Sequence, residues 1–372
     1  MKLTTNLKQF AAQSPGIMQL FVMFEDYWKH YRSNNDKNLS LDFSMTKNDG
    51  TSVSFSEKEE KLNGAMKREI LKLAGIADFA DLPLERWITH PTLTWATFAI
   101  VGSLIDLIMP QTLIEDIGLY TAISTIGFGD SASFDVQPRD LFTVSRHGAR
   151  QRTTELHKQF RGQRTLIPEN RQMTVVVGMY KVLAGQESLA FFVSKAVRSI
   201  ETQILRDSYD AFLVLMEALD ATAVTGLRVS GYSQDEIARL AENVEAWNAS
   251  SVILLGTKRA LATILPGDAN YRYSLDDDYV RMGYISNFLG YPVVALRQVA
   301  DPATPWTSVI DNDNIYILSP GTDKLLKLVF EGGTIASTDN SFDNANLLQT
   351  STMMKRWAVS AITSSVAGII QI

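Results

Sequence analysis

The sequence has no cysteine, which removes disulfide frameworks, thiolate nucleophiles, iron–sulfur clusters and cysteine-based zinc sites. Histidine is nearly as scarce. His30, His90, His147 and His157 stand far apart and none neighbours an acidic cluster; a general base needs a partner geometry that this spacing does not supply, so His147 and His157 read as polar contacts. Nucleotide-binding and hydrolase signatures are missing too: there is no Walker loop, no G-x-G-x-x-G after a strand, no G-x-S-x-G elbow and no H-E-x-x-H. Asp276-Asp277-Asp278 is the best metal candidate, but it lacks the D-x-D-x-D-G spacing of a calcium loop and reads as a solvated turn or helix start. These absences assign no catalytic residue, metal or cofactor, and the chain is read as not being an enzyme.

Long apolar runs are also missing. The longest, from Pro91 to Pro110, is interrupted by Thr92, Thr94, Thr97, Ser103 and Asp106, and it barely reaches the ~20 residues a membrane span requires. A buried helix is expected there, and no membrane partner. The start, Met1-Lys2-Leu3-Thr4-Thr5-Asn6, leads into Gln9 and Gln13 without the apolar core and small-residue cleavage site of a signal peptide, so none is expected. There is no internal repeat and no low-complexity block.

What remains is an ordinary globular composition: 372 residues, 45% hydrophobic and 20% charged, enough for two or three small domains. The net charge of −6 is unevenly spread. Arg139 to Arg171 holds eight basic residues against three acidic ones, a local +5 that leaves −11 on the rest. The basic residues near its middle are Arg146, Arg150, Arg152, Lys158, Arg161 and Arg164. Such a loop can grip phosphate through counterion release. With only Phe142 and Phe160 as aromatics a base-stacking platform is poorly supported, and contact with an acidic protein surface is the favoured reading.

Ile17, Leu20, Phe21, Phe24, Tyr27, Trp28 and Tyr31 fall at helical spacing, and Ser33 to Asn38 reads as a linker. Ser56 with Glu59 has the spacing of a capping box, opening a helix that closes at Gly75. After the Pro91–Pro110 helix, Gly127-Phe128-Gly129-Asp130 breaks the pattern. Leu141 to Val144 and Met173 to Val177 then enclose the basic segment as the two strands of a long β-hairpin, a loop long enough to be functional. Gln186 to Leu219 contains no proline or glycine and reads as one helix of roughly 50 Å. Ser233 and Glu236 cap a helix to about Trp247. Strand Val252–Leu255, a helix from Lys258 to Ile264 and strand Pro292–Val299 then alternate as a compact α/β unit. A second hairpin is expected from Asn314–Leu318 and Lys324–Phe330, and the apolar tail from Leu347 to Ile372 reads as strand.

This order of parts resembles the tailed-phage major capsid proteins of the Hong Kong 97-like fold. The local pattern Ala249-Ser250-Ser251-Val252-Ile253-Leu254-Leu255-Gly256, followed by Gly283-Tyr284-Ile285-Ser286-Asn287-Phe288-Leu289-Gly290-Tyr291-Pro292-Val293-Val294, looks like that family's axial-domain strand and its glycine-bounded turn into the next strand. The resemblance implies an α+β fold: N-terminal arm 1–55, helical region 56–127 leading into a peripheral domain, E-loop β-hairpin 128–178, peripheral domain with spine helix 179–230, axial domain 231–320, and a return through the peripheral domain with a C-terminal axial strand over 321–372. It implies a head-shell subunit located in the virion and assembled in the host cytoplasm. Its partners would be copies of itself in hexamers and pentamers, portal, scaffolding or decoration proteins, and packaged double-stranded DNA held without sequence preference. Contacts between subunits would fall on the six basic E-loop residues and on Phe21, Phe24 and Trp28 of an uncleaved arm. No covalent cross-link is expected, although Lys158 with Asn344 or Asn346 is the pair to consider. An encapsulin-like shell, told apart by a cargo-docking surface, and a nucleic-acid-processing enzyme, told apart by acidic metal ligands or a nucleotide loop, are the rival readings.

Overall fold

The computed structural model describes residues 5–12, 14–37, 39, 43–46, 50–76, 91–136, 142, 144, 158–159, 161–177, 187–221, 226–264, 279, 281–300, 304, 306–321, 323–339 and 349–372. It divides into two compact units. The first comprises Met1–Leu113, Glu169–Glu201 and Glu331–Trp357; the second comprises Ile114–Pro168, Thr202–Phe330 and Ala358–Ile372. Helix and strand are mixed throughout.

The first unit begins with α1 (Thr5–Ala11), α2 (Pro15–Lys37) and the short pair β1 (Ser44–Thr46) and β2 (Ser52–Ser54), followed by α3 (Phe55–Ala74). Helix α2 runs through Ser33 to Lys37, where the sequence suggested a linker; Asn34 is buried there, so packing overrides the polar composition. Helix α3 starts earlier than expected. Its cap is Ser54, whose Oγ accepts from the Glu57 amide at 3.2 Å. The box is therefore Ser54 to Glu57 and not Ser56 to Glu59, because burying Phe55 requires it inside the first turn. Gly75 closes the helix at φ 75°, a conformation costly for residues with a Cβ.

Helices α2 and α3 meet through aromatic rings. Tyr27 stacks on Phe55 with centroids 5.0 Å apart, and the His30 ring meets Phe55 edge-on at 5.4 Å. Helix α4 (Pro91–Ile117) supplies the apolar interior expected of this segment, with Leu93, Ile100, Val101, Leu104 and Ile105 buried. By length and composition it would suffice to cross a membrane, and 78% of its most apolar window is buried within the chain. It continues past Pro110, contrary to the expected stop. Proline removes one backbone donor at a cost of ~3 kcal/mol, and the apolar residues beyond it, Leu113 and Ile117, are buried and hold the helix together.

Helix α5 (Leu189–Ala221) has 33 residues, close to the expected spine. Its start is built by two side chains: Ser188 Oγ accepts from the Phe191 amide at 3.2 Å, and Asn63 of α3 accepts from the Ala190 amide at 3.0 Å while donating to Ser188 Oγ at 2.9 Å. These contacts satisfy amides that a helix start leaves open.

The strands of the middle and end of the chain are β3 (Thr121–Ile126), β4 (Ala132–Val136), β5 (Gly162–Leu166), β6 (Glu169–Val177), β7 (Arg228–Ser230), β8 (Ile253–Gly256), β9 (Asn287–Phe288), β10 (Tyr291–Ala295), β11 (Asn314–Leu318), β12 (Leu326–Asp339), β13 (Gln349–Ala361) and β14 (Gly368–Gln371). A six-stranded sheet of order β7-β14-β11-β8-β10-β9 forms the α/β part of the second unit. Helix α6 (Gln234–Asn248) covers one face, placing Ile237, Leu240 and Val244 against Leu254, Ile315, Ile317 and Ile370. Tyr209, Phe212 and Met216 of α5 cover the other, against Ile253, Leu255, Tyr316, Leu318 and Ile369. Alternate residues of β8, β11 and β14 thus point to opposite cores, and β8 is buried from end to end as a central strand must be. The α7 turn (Lys258–Leu261) follows β8, with Thr257 Oγ1 accepting from the Ala260 amide at 3.2 Å.

Two strand pairings differ from expectation. β11 lies between β8 and β14, so both its edges are taken, and it forms no hairpin with β12, which belongs to the four-stranded sheet β3-β12-β13-β6. β6 pairs antiparallel with β13 from Glu169↔Trp357 to Val177↔Gln349, and among the described residues the strand that pairs with β4 is β5. The strand expected at Leu141 to Val144 lies outside the described residues except for Phe142 and Val144.

His30 sits in the aromatic cluster of the first unit. Its Nε2–H donates to the Phe43 carbonyl at 2.9 Å, and its Nδ1 is buried without a partner. Burial pushes its pKa down, the Phe43 carbonyl opposes this, nearby Lys58 adds to the lowering and Asp26, paired with Lys58 at 2.8 Å, opposes it. The unfolded chain therefore binds this proton more readily than the fold. Stability present above the ordinary value of 6.5 is lost as pH falls through it. We expect the urea midpoint to fall between pH 7.5 and 5.5, and His30→Phe to flatten that dependence; an unchanged slope in the variant would remove His30 as the cause.

Candidate assembly surface and its buried supports

Among the described residues of the second unit, β4 and β5 form a two-stranded ribbon that is open to water. Gly127 to Asp130 makes the turn before it, with Asp130 donating its amide to the Gly127 carbonyl at 3.3 Å and Gly129 at φ 86°. Strands β4 and β5 then pair antiparallel from Ala132↔Leu166 to Val136↔Gly162. None of their residues is buried. Ser133 and Thr165 hydroxyls face each other at 3.4 Å across the ladder, a weak contact. A two-stranded ribbon without a covered face is marginal by itself in water.

The ribbon occupies the position of the expected E-loop but uses different strands. Of its six basic site candidates, Arg164 lies on β5 opposite Phe134, Arg161 stands just before β5, and Lys158 is exposed nearby. Arg146, Arg150 and Arg152 lie outside the described residues. Arg161 forms an ion pair with Asp135 of the same ribbon, so part of the basic charge is answered locally. Phe128, 72% exposed before β4, and Ile167, 69% exposed after β5, place two large apolar side chains in water at the same end of the ribbon.

The three arm candidates are placed differently. Phe21, Phe24 and Trp28 are buried inside the first unit, and Trp28 stacks on Tyr31 at 5.4 Å. Their packing partners are supplied by the chain itself. The exposed apolar residues of α2 are Met18 and Val22. The helical periodicity identified the apolar stripe but not which of its residues a single chain would cover.

Among the described residues no three His, Asp or Glu side chains are grouped to hold a metal ion, and Asp276 to Asp278 lie outside them, as do His90, His147 and His157. The buried charges are instead paired. In the first unit, Asp106 of α4 accepts from the Thr334 amide at 2.7 Å, from Thr334 Oγ1 at 2.6 Å and from the Lys355 ammonium. The Lys355 and Asp106 side chains are 5% and 16% exposed. Arg356 pairs with buried Glu331 on the neighbouring strand. In the second unit Asp323 accepts from Lys327 at 2.8 Å, the Ser364 amide at 2.9 Å, and the Thr363 and Ser364 hydroxyls at 3.2 Å each. Burial opposes its ionisation, but these donors win and hold its pKa below the ordinary carboxylate value. A lone carboxylate in an apolar run was the sequence signal for Asp106; nothing local marks Lys355 as its partner 249 positions later.

No family model matches the sequence, and no curated protein matches it. Among solved structures the chain is similar to a capsid chain of a native GTA particle, at 12% identity over 67% of this chain and 88% of that one, with a TM-score of 0.44. It is similar to a chain of the mature capsid of bacteriophage PhiM1, at 10% identity over 67% and 85%, TM-score 0.42. A virus-like particle from Pyrococcus furiosus is similar at 11% identity over 68% and 90%, TM-score 0.38. At these identities the role of each residue is argued from this chain alone.

Removing one member of a buried ion pair strands the other. Asp106→Leu or Lys355→Met alone is expected to destabilise the chain by about 3–5 kcal/mol, whereas the two combined regain much of the loss. Urea unfolding of the two single variants and the double variant measures the coupling; additive losses would show that the pair is not an energetic unit.

Proposed function

We propose that this chain is the major capsid protein of a tailed phage, a Hong Kong 97-like subunit that assembles with copies of itself into the closed head shell. The observation that carries the reading is the β4–β5 ribbon, an ordered strand pair with no buried side chain, flanked by exposed Phe128 and Ile167. A surface of this kind gains stability when another copy covers it. The 33-residue α5 would be the spine helix, the six-stranded sheet with α6 the axial domain, and the paired β6 and β13 part of the peripheral domain. On this reading the ribbon is the E-loop, and Arg146, Arg150, Arg152, Lys158, Arg161 and Arg164 meet acidic surface on a neighbour, the remainder of the chain carrying −11. Since the buried Phe21, Phe24 and Trp28 leave Met18 and Val22 as the exposed apolar residues of α2, the arm would touch a neighbour through that other face. Portal, scaffolding or decoration proteins and non-specifically held double-stranded DNA complete the set of partners, in a virion assembled in the host cytoplasm.

Sedimentation and electron microscopy of the purified chain test the reading: hexamers, pentamers or closed shells are expected, and a stable monomer at every concentration and salt level would refute it. The ribbon's part is tested separately. Arg150→Glu, Arg152→Glu and Arg161→Glu together should leave helical content and melting largely intact while preventing assembly, and added salt should weaken wild-type assembly in the same direction. Normal shells from the triple variant would show that the ribbon is not the clamp.

A further inference from the structure

The second unit holds a cavity of about 300 Å³ that shell formation does not call upon. Leu205 and Phe212 of α5, Leu255 of β8, and Leu296, Val299 and Ile310 give it apolar walls. Its volume lies at the lower end of ordinary small-molecule sites. Ser208 lines it, and is the residue that distinguishes the cavity from a packing void. Its side chain is 1% exposed and its hydroxyl has no hydrogen-bond partner. On the same helix the hydroxyls of Ser194 and Ser199 donate to the carbonyls of Ala190 and Lys195 at 3.0 and 2.9 Å, the usual local solution for a helical serine. Ser208 does not take it.

Two of the other hydroxyls of the lining are already engaged with each other. Tyr209 and Tyr316 share a hydrogen bond at 3.1 Å, and Tyr209 also accepts from the Asp311 amide at 2.9 Å. Burial raises the pKa of both tyrosines and of Tyr120, which keeps them protonated. At the rim Asp116 faces Arg297 at 3.7 Å. A charged guest would lose its hydration against the apolar walls.

We propose that this cavity binds a neutral, largely apolar ring compound or short chain bearing one hydroxyl or carbonyl group, oriented by the Ser208 hydroxyl. The apolar body replaces water against the aliphatic walls, and the single polar group completes Ser208. The site lies within one chain, so it stands or falls independently of assembly.

The probe is 2-naphthol, titrated into the full-length chain with fluorescence detection. Saturable binding at one molecule per chain is expected. Ser208→Ala should weaken it about tenfold while leaving the melting temperature of the empty chain equal or higher, since the hydroxyl it removes has no partner to lose. Leu205→Trp should fill the cavity and abolish binding with helical content unchanged. Absence of saturable binding to the wild-type chain, or full affinity in Leu205→Trp, overturns the site. Unchanged affinity in Ser208→Ala overturns the orienting role, and that variant keeps the proposal testable if Leu205→Trp does not fold.

Discussion

Asp106 sets the terms on which the first unit can be built. A carboxylate inside a helix as apolar as α4 can be buried only if donors reach it, and here an amide, a hydroxyl and an ammonium do so from β12 and β13. Those donors fix how the helix lies on the strands. A rotation of α4 by one residue would swing the carboxylate about 100° away and leave Lys355 buried alone. The approach also needs room: a Cβ at Gly102, one turn before Asp106, would come within 3.2 Å of the Thr334 carbonyl, and one at Gly333 would come within 3.0 Å of the Asp106 carboxylate. Apolar burial supplies most of the driving force in this unit, but it is non-directional, and the polar cluster selects one arrangement among many that are similarly greasy.

The α/β part of the second unit obtains its uniqueness by another route. Three neighbouring strands, β8, β11 and β14, present alternate side chains to two separate cores, so a one-residue slip of any of them would exchange every partner at once. Side-chain amide and carboxylate groups then secure the ends. Asn248, the last residue of α6, donates to the Val366 carbonyl at 2.7 Å and accepts from the Val366 amide at 2.9 Å, which seats the entry to β14. Asp323 does the same for the turn at Thr363 to Ser365. In both places a polar side chain terminates what the apolar pattern cannot terminate by itself.

The parts of this architecture legible in the sequence are those governed by local periodicity. Helices α2, α3, α5 and α6 and strands β8, β10 and β11 follow from apolar spacing, and Gly75 from its place after the last periodic residue. What was not legible depends on partners far away in the chain. Asn314 to Leu318 and Lys324 to Phe330 look like a hairpin because a turn separates them, yet β11 finds better partners in β8 and β14. Met173 to Val177 is strand-like for the same local reasons that suggested pairing with the basic loop, but its ladder partner is β13, more than 170 positions on. Pro110 looks like a helix stop by a backbone rule that the burial of Leu113 and Ile117 overrules. For the candidate assembly surface the sequence pointed to a hairpin between residues 128 and 178, but it named other strands than β4 and β5. It did not reveal that Arg161 is answered by Asp135 in the same ribbon, or that Phe21 and Phe24 are consumed by the fold.

On the capsid reading proposed above, that local answer bears on how the subunit would hold its neighbours. An exposed ion pair contributes about 0–1 kcal/mol and is screened by salt, so charges alone make a weak and adjustable contact. Phe128 and Ile167 are of another kind: covering a large apolar side chain stabilises a contact by about 1.5–3 kcal/mol and is little affected by ionic strength. Both lie at one end of the ribbon, where Ala132 pairs with Leu166, while Arg161 stands next to the other, where Val136 pairs with Gly162. Apolar anchors near its base would set how strongly a neighbour is held, and the charged stretch farther along would set which surface is accepted and in what register. On that reading a subunit that must find the same partner many times would benefit from this division, since encounters guided by charge remain reversible until the apolar residues are covered.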